Sequence, residues 1–393
     1  MRSASLVCPA LLAAATLTFN LLEPNNTFGQ PQPKAAPAAE AVEMDPAKAV
    51  AEFIKRRDDL AKLDQKLRKE FETATPERKQ KIAAEHTAAM NAFGRYAEKI
   101  IPIAAKAAIP AYIKDEKDVG AEDLTLAYLG SLLQTNRYAE TAKASDELIA
   151  AGRSNPALYT FSGMAHFAIH DFAKAKELLT EAGKRDLEGQ PQEATVFLKS
   201  CDQYAKYWET EKAIRAKEAK ANDLPIVVFK TSRGDITLEL FENEAPNTVA
   251  NFISLVESKY YDGTKFHRVI PNFMAQGGDA KSKDDDPSDD GTGGPGYRIP
   301  CECYEPNARI HFQGSLSMAH AGKDTGGSQF FLTHLPTAHL NPNVQAERGH
   351  TVFGRITKGM NIAAALQVGD EILSAKVVRK RDHEYKPRTT AGD

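Results

Sequence analysis

Two apolar rhythms divide the chain. Over residues 46–222 apolar residues recur at three- and four-residue spacing among frequent Ala, Glu, Lys, Arg and Gln, with few glycines, which predicts helices. Val50, Phe53, Ile54, Leu60, Leu63 and Leu67 form one such apolar stripe. Thr75 followed by Pro76 predicts a fresh start, the threonine as N-cap and the proline in the first turn. Pro102 and Pro110 are expected to break or kink the helical run beyond that start. Residues 209–221 read as a charged, solvated helix joining the two halves. At Asn222-Asp223-Leu224-Pro225 the pattern switches to β-rich runs. Ile226-Val227-Val228-Phe229, Ile236-Thr237-Leu238-Glu239-Leu240 and Thr351-Val352-Phe353-Gly354 are parted by turns such as Ser232-Arg233-Gly234-Asp235. Ala245-Pro246-Asn247-Thr248 opens a helix over 249–258.

A repeat runs through the helical half. Asn136-Arg137-Tyr138-Ala139-Glu140 and His170-Asp171-Phe172-Ala173-Lys174 place their aromatics 34 residues apart. Leu129-Gly130 precedes the first and Ser162-Gly163 the second, while Ala175 and Ala182 follow Phe172. Period and offsets resemble tetratricopeptide repeats, helix-turn-helix units that stack to bury a shared face. The first copy departs from that pattern: Leu129-Gly130 sits one residue too close to Tyr138, and Thr141 replaces a small alanine. An unrelated helical bundle with the same spacing is the alternative. With two recognisable copies, the preceding helices are read as caps.

Length and charge narrow the function. A chain of 393 residues suggests two or three domains. A net charge of −3 with 26% charged residues points neither to nucleic acid nor to an anionic membrane. Arg2 followed by the apolar run over 6–22 reads as a secretory signal peptide over 1–29, and Asn20 and Glu23 disfavour a permanent anchor. Residues 30–45, with Pro31, Pro33 and Pro37, read as an extended linker. An exported, periplasmic or extracytoplasmic chain is the expectation, without membrane insertion once the segment is cleaved and membrane-anchored if it is retained. Cys201, Cys301 and Cys303 are too few for a disulfide framework, so burial must hold the core.

The candidate chemistry lies in two stretches of the β-rich half. Phe266-His267-Arg268-Val269-Ile270-Pro271-Asn272-Phe273-Met274-Ala275-Gln276-Gly277-Gly278-Asp279 sets one cation, two apolar side chains and an amide within nine residues, then a double glycine. Strand alternation cannot bring Arg268, Phe273, Met274 and Gln276 together on one straight strand, so Ile270-Pro271-Asn272 must turn the chain. The second stretch is Ser317-Met318-Ala319-His320-Ala321-Gly322-Lys323-Asp324-Thr325-Gly326-Gly327-Ser328-Gln329-Phe330-Phe331-Leu332. Neither contains a nucleophile–base pair or paired carboxylates.

Together, and with His350-Thr351-Val352-Phe353-Gly354, these stretches closely resemble the cyclophilins, a family of peptidyl-prolyl cis-trans isomerases, over about 225–381. The resemblance implies an eight-stranded antiparallel β-barrel capped by two helices, the second near 359–366, with a closing strand over 371–379 and a loose polar tail. It implies no cofactor or metal, and proline-containing polypeptides as substrates. It places the catalytic cation at Arg268 and the proline pocket at Phe273, Met274, Phe331 and Leu340. Gln276 would orient the arginine, and Ala319 and His320 would pair with the substrate backbone. Thr325 and Gln329 would line a neighbouring pocket, and His350 is a further pocket residue. His339 shapes the rim where many members carry Trp, His320 stands in place of Asn, and the link over 341–349 is longer than usual.

Two further clusters stand outside this reading. Asp284-Asp285-Asp286-Pro287-Ser288-Asp289-Asp290-Gly291 imitates the start of a calcium loop, but Tyr297 occupies the position that needs a bidentate Glu, so it reads as solvated. Cys301-Glu302-Cys303 with His311 lacks zinc spacing and reads as adjacent thiols on a strand, open to redox chemistry. The expected organisation is thus a multidomain chain: an all-α tetratricopeptide-like region over 46–222, a cyclophilin-like domain over 223–382 and a flexible tail over 383–393. The helical region would dock a partner or client. A proline-binding module without turnover, a helical adaptor stabilised by the barrel and a general chaperone are the rival functions.

Overall fold

The structure is a computed structural model that describes residues 44–186 and 188–392. The segments read as signal peptide and most of the linker lie outside the described residues. The described chain falls into two compact units. One runs to Gln134 and resumes over Lys143–Phe161; the other holds Thr135–Ala142 and continues from Ser162.

In the first unit, local capping sets where helices begin. Asp45 accepts the Lys48 amide at 3.0 Å ahead of α1 (Pro46–Thr73), and Thr75 accepts the Arg78 amide at 3.4 Å ahead of α2 (Pro76–Lys114). Each side chain satisfies an amide that the helix cannot. Of the break or kink expected at Pro102 and Pro110, the break does not occur: α2 runs through both. A buried face containing Ile100, Ile101, Ala104, Ala105 and Ala108 holds it where each proline removes a hydrogen bond. Ala49, Phe53 and Leu60 of α1 meet Phe93, Ala97 and Ala104 of α2 and Leu124 of α3 (Val119–Gln134) in one core.

The later helices are α4 (Tyr138–Ala150), α5 (Pro156–Ala168), α6 (Phe172–Arg185) and α7 (Gln192–Ala221). Asn136 and His170 precede α4 and α6 with φ of 58° and 72°, so the two turns 34 residues apart share one backbone conformation. In the second unit, Phe167, Phe172, Ala175, Cys201 and Tyr204 close around Phe312 of the β-rich half.

The reading of 209–221 as a solvated connector is corrected here. These residues are the end of α7, and Glu211 and Glu218, two turns apart on one face, are buried. Both receive Arg309, 3% exposed: Nη2 donates to Glu211 at 2.8 Å and Nη1 to Glu218 at 2.5 Å. Burial works to raise the Glu211 pKa, and the bonds and charge of Arg309, helped by Arg215, outweigh it and hold the carboxyl below its ordinary value. Arg355 reaches Glu218 at 3.0 Å, and the Arg309 guanidinium lies 3.8 Å from the Phe241 ring centre. The pattern of charges looks solvated in the sequence because Arg309 is 91 residues beyond Glu218.

The β-rich half is a curled antiparallel sheet in the order β3-β4-β7-β6-β8-β2-β1-β9. Its strands are β1 (Ile226–Thr231), β2 (Gly234–Leu240), β3 (Arg268–Ile270), β4 (Met274–Gly277), β6 (Ser315–Met318), β7 (Phe330–Thr333), β8 (Val352–Lys358) and β9 (Ile372–Arg379). A bridge between Lys265 and Glu371 joins the flanks of its two end strands. The helix α8 (Pro246–Glu257) buries Val249, Phe252, Ile253 and Val256 in the sheet's core. It has no side-chain cap of its own; Glu302 accepts the Asn247 and Thr248 amides at 2.9 and 2.8 Å. A short α9 (Met360–Ala364) is the second helix.

The tail, expected to be loose, is packed. Tyr385 is buried and donates to Glu242 at 2.8 Å, and β10 (Thr390–Ala391) pairs with β5 (Tyr297–Arg298).

Replacing Arg309 by Met is expected to cost about 3–5 kcal/mol in urea unfolding, because two buried carboxylates lose the buried cation they share and keep only Arg215 and Arg355 beside them; removing both carboxylates as well should recover most of it. Histidines set a pH limit. Burial holds His311 at a pKa of about 3 and His334 at about 4, both below the ordinary value of 6.5. Between those values the unfolded chain binds more protons than the folded one, so stability falls as pH drops from 6.5 towards 4. Each histidine contributes up to about 1.4 kcal/mol per pH unit. Urea midpoints should hold steady above pH 7 and drop below 6; equal midpoints at pH 7 and 4.5 would contradict this assignment.

Candidate active site

The site is built on strand parity. Arg268 of β3 faces Gln276 of β4, Gln276 faces Phe331 of β7, and Phe331 faces Ser317 of β6. Cross-strand partners share a face, so a cation, an amide and an aromatic ring line one surface of four adjacent strands. Met274 lies two residues from Gln276 and shares that face. The intervening residues Ala275, Leu332 and Leu316 point the other way, into the core. Pro271, Asn272 and Phe273 form the turn that the spacing required. Beyond β4, Gly278 has φ 84°, and a Cβ there would come within 2.6 Å of the Ser328 carbonyl, so the double glycine allows two backbones to meet.

Arg268 is exposed and makes no hydrogen bond or ion pair among the described residues; partial loss of water lowers its pKa from the ordinary value. A guanidinium keeps its charge under such a shift, so this is a free cationic donor beside an apolar surface. Gln276 donates to the Gln329 side-chain oxygen at 3.0 Å, and Gln329 in turn donates to the Gly291 and Gly293 carbonyls at 2.9 Å each. Gln329 thereby ties the site to the end of the inserted acidic loop. Within that loop Asp284 and Asp286 accept amides two residues on, at 2.9 and 3.0 Å, and Lys281 pairs with Asp289.

Two imidazoles meet two of the phenyl rings. The His339 ring lies 5.2 Å from Phe273, and the His350 ring meets the edge of Phe331 at 5.4 Å. The His350 amide donates to the Leu340 carbonyl at 3.1 Å, which closes the longer link between them. Met274 and Phe331 are 1% and 4% exposed. Burial pushes the His350 pKa down to about 4, so its ring is neutral near pH 7.

The other side of the site is an edge of backbone. The Ala319 amide donates to the Gln329 carbonyl at 2.9 Å. His320 stacks on His350 at 4.1 Å, bonds the Gly349 carbonyl through Nε2 at 2.8 Å, and accepts the Gly322 amide through Nδ1 at 3.2 Å. Thr325 closes a turn, accepting the Ala321 amide at 3.1 Å and donating to the Gly322 carbonyl at 2.8 Å.

Three sets of contacts around the site are not visible in the sequence. His311 stacks parallel to Phe331 at 5.8 Å and is held between Asn341 at 3.0 Å and Ser317 at 2.9 Å. Asn341 also receives Tyr204 of α7, its amide donating to the hydroxyl at 3.0 Å. The Asn272 amide donates to the Asn136 side chain at 2.7 Å, and the Asn272 side chain accepts from the Tyr138 hydroxyl at 3.0 Å. Asn272 has φ 56°, a conformation that Asn tolerates better than most residues. The pairs lie 134–137 residues apart, beyond any local pattern.

The β-rich half also resembles known proteins in sequence. The family model for cyclophilin type peptidyl-prolyl cis-trans isomerases matches residues 226–383. A peptidyl-prolyl cis-trans isomerase of Synechococcus elongatus is 48% identical over 153 residues, 38% of this chain and 94% of the relative. Peptidyl-prolyl cis-trans isomerase B of Bacillus subtilis is 50% identical over 142 residues, 36% of this chain and 90% of the relative. Among solved structures, a cyclophilin type isomerase from Cryptosporidium parvum aligns at 28% identity over 40% of this chain and 99% of that one, with a TM-score of 0.34. The β-rich half has the cyclophilin fold, and the chain belongs to the cyclophilin-type peptidyl-prolyl cis-trans isomerase family.

Proposed function

We infer that the protein catalyses rotation about X-Pro amide bonds, with Arg268 as the transition-state donor. The observation that carries this is a guanidinium without a partner among the described residues, which faces Gln276 across one strand pair as Gln276 faces Phe331 across the next. Rotation faces a barrier of about 18–20 kcal/mol and takes ~10–100 s uncatalysed. Twisting removes conjugation, and the prolyl nitrogen becomes able to accept a hydrogen bond that neither planar ground state can accept. Bringing ~100 s to milliseconds requires about 7 kcal/mol. One charge-assisted bond supplies about 2–4 kcal/mol. The wall of Phe273, Met274, Phe331 and Leu340 supplies the rest by gripping the pyrrolidine ring and stripping water from the amide.

Gln276 orients Arg268, the 319–320 edge holds the substrate backbone, and Thr325, Gln329, His339 and His350 shape the rim. The substrates are proline-containing segments of exported polypeptides, met in an extracytoplasmic compartment after the N-terminal segment is cleaved. The tetratricopeptide-like helices give clients or a partner a second surface, which raises their effective concentration at the site. The like turns before Tyr138 and Phe172 support that reading.

In the full chain, Arg268→Ala is expected to lower kcat/KM for a short Ala-Pro peptide by roughly 10²–10³ while the peptide still binds. Activity unaffected by this change would remove Arg268 from the mechanism. The rate should vary by less than about threefold from pH 6 to 9, since His311 and His350 stay neutral and no proton is transferred. The residual change belongs to His320: burial opposes its protonation, but the hydrogen bond to Cys301 outweighs it and raises its pKa above 6.5. Its protonation as pH falls removes the Nδ1 acceptor of the Gly322 amide, and His320→Asn should flatten the profile.

A further inference from the structure

We propose that Asn136 and Tyr138 are positioning residues of the isomerase, which clamp the turn that aims Arg268. The inference rests on the function proposed above, since its readout is catalysis. It gives a part in turnover to a segment that precedes the β-rich half by more than the length of α7.

Nothing bonded to the guanidinium sets its direction. Arg268 makes no hydrogen bond or ion pair among the described residues, so its aim is that of the backbone that carries it. That backbone is slight. The strand β3 is three residues long and stands at the end of the sheet. Its partner is β4, with Arg268 opposite Gln276 at one end and Ile270 opposite Met274 at the other. A short strand at a sheet end opens more easily than the strands of the core.

Both ends of this strand are tied to one piece of the fold. Ahead of it, the Phe266 amide donates to the Asp370 carbonyl at 2.8 Å, and the Gly369 amide donates to the Phe266 carbonyl at 3.0 Å. Behind it, the turn over 271–273 reaches the same piece through Asn136. The side-chain oxygen of Asn136 accepts the Asn272 amide at 2.7 Å, and its Nδ2 donates at 3.0 Å to the carbonyl of Ala364, the last residue of α9. Residues 360–370 therefore hold Phe266 directly and Asn272 through one side chain, with Arg268 between the two. The His334 amide donates to the Phe273 carbonyl at 2.9 Å and fixes the far side of the turn.

Tyr138 in turn holds Asn136. Its hydroxyl has one proton to give, and stands 3.1 Å from the Asn136 oxygen and 3.0 Å from the Asn272 side-chain oxygen. Tyr138 is 2% exposed and Asn136 7%, so water competes little for these bonds. All of these residues belong to the second compact unit. A guanidinium turned slightly off line loses its bond to the twisted amide, whereas the planar substrate never used that bond and binds as before. The clamp thus acts on kcat, through Arg268.

The test measures kcat and KM for an Ala-Pro peptide in the full chain carrying Tyr138→Phe, alone and beside Arg268→Ala. Alone, the change should lower kcat by about three- to tenfold, as the loss of one hydrogen bond implies, with KM within about twofold. Beside Arg268→Ala it should alter the residual rate by less than about twofold, because no guanidinium is left to aim. Asn272→Gly removes an acceptor of the same hydroxyl at a turn whose φ of 56° suits glycine, and should lose as much; Asn272→Asp keeps an acceptor and should restore the rate. That pair carries the test should Tyr138→Phe fail to fold. Equal losses on both backgrounds, or a rise in KM with kcat held, would overturn the proposal. So would an unchanged kcat beside an Arg268→Ala that shows its expected loss. An Arg268→Ala chain as active as the wild type would overturn it together with the mechanism it rests on.

Discussion

The site depends on the two-residue period of four neighbouring strands. Because Arg268, Gln276, Phe331 and Ser317 are direct cross-strand partners, they share one face wherever the sheet goes. Because Ala275, Leu332 and Leu316 alternate with them, the same pairing buries the core. Register and core are therefore one constraint: a one-residue slip of β4 would bury Gln276 and expel Ala275. The catalytic surface is as stable as the packing behind it, which suits a reaction whose barrier is lowered by fixed placement.

The helices add a back wall that a lone curled sheet would lack. Arg309 ties α7 to the strand side through Glu211 and Glu218, and Tyr204 reaches Asn341 one residue beyond Leu340. Asn341 holds His311, and His311 lies flat against Phe331. At the front, Asn136 and Tyr138 hold the Asn272 turn between the strand carrying Arg268 and the one carrying Met274. Both routes end on residues adjacent to the pocket, so helical packing and pocket shape are mechanically linked within the second compact unit.

Range decides how much of this is readable from residues alone. Alternation, the turn at 270–272 and the double glycine are local, and they lead to Arg268 and Gln276 meeting across a hairpin. Capping by Thr75 is local too. The errors are all long-range. The Glu211–Glu218 stripe reads as solvated because nothing nearby announces Arg309. The 383–393 tail reads as loose because Glu242, which receives Tyr385, lies 143 residues earlier. Prolines 102 and 110 read as breaks because propensity is visible and the burial that overrides it is not. The thiols read as strand neighbours because the turn at Cys303 depends on Glu302 being taken up by α8.

Rotation about an amide moves no proton, so a pocket built for it can hold its histidines neutral and dry. His311 and His350 fit that requirement: burial keeps both uncharged near pH 7, and both present ring faces or edges to Phe331. His320 departs from it. Its pKa is raised, it stacks on His350, and it bonds the Gly349 carbonyl and the Gly322 amide. A charge on His320 is felt by the adjacent His350 ring and helps to hold it neutral. The protein thus keeps its proton-sensitive ring at the rim, one imidazole removed from Phe331, and leaves the pocket's own rings neutral.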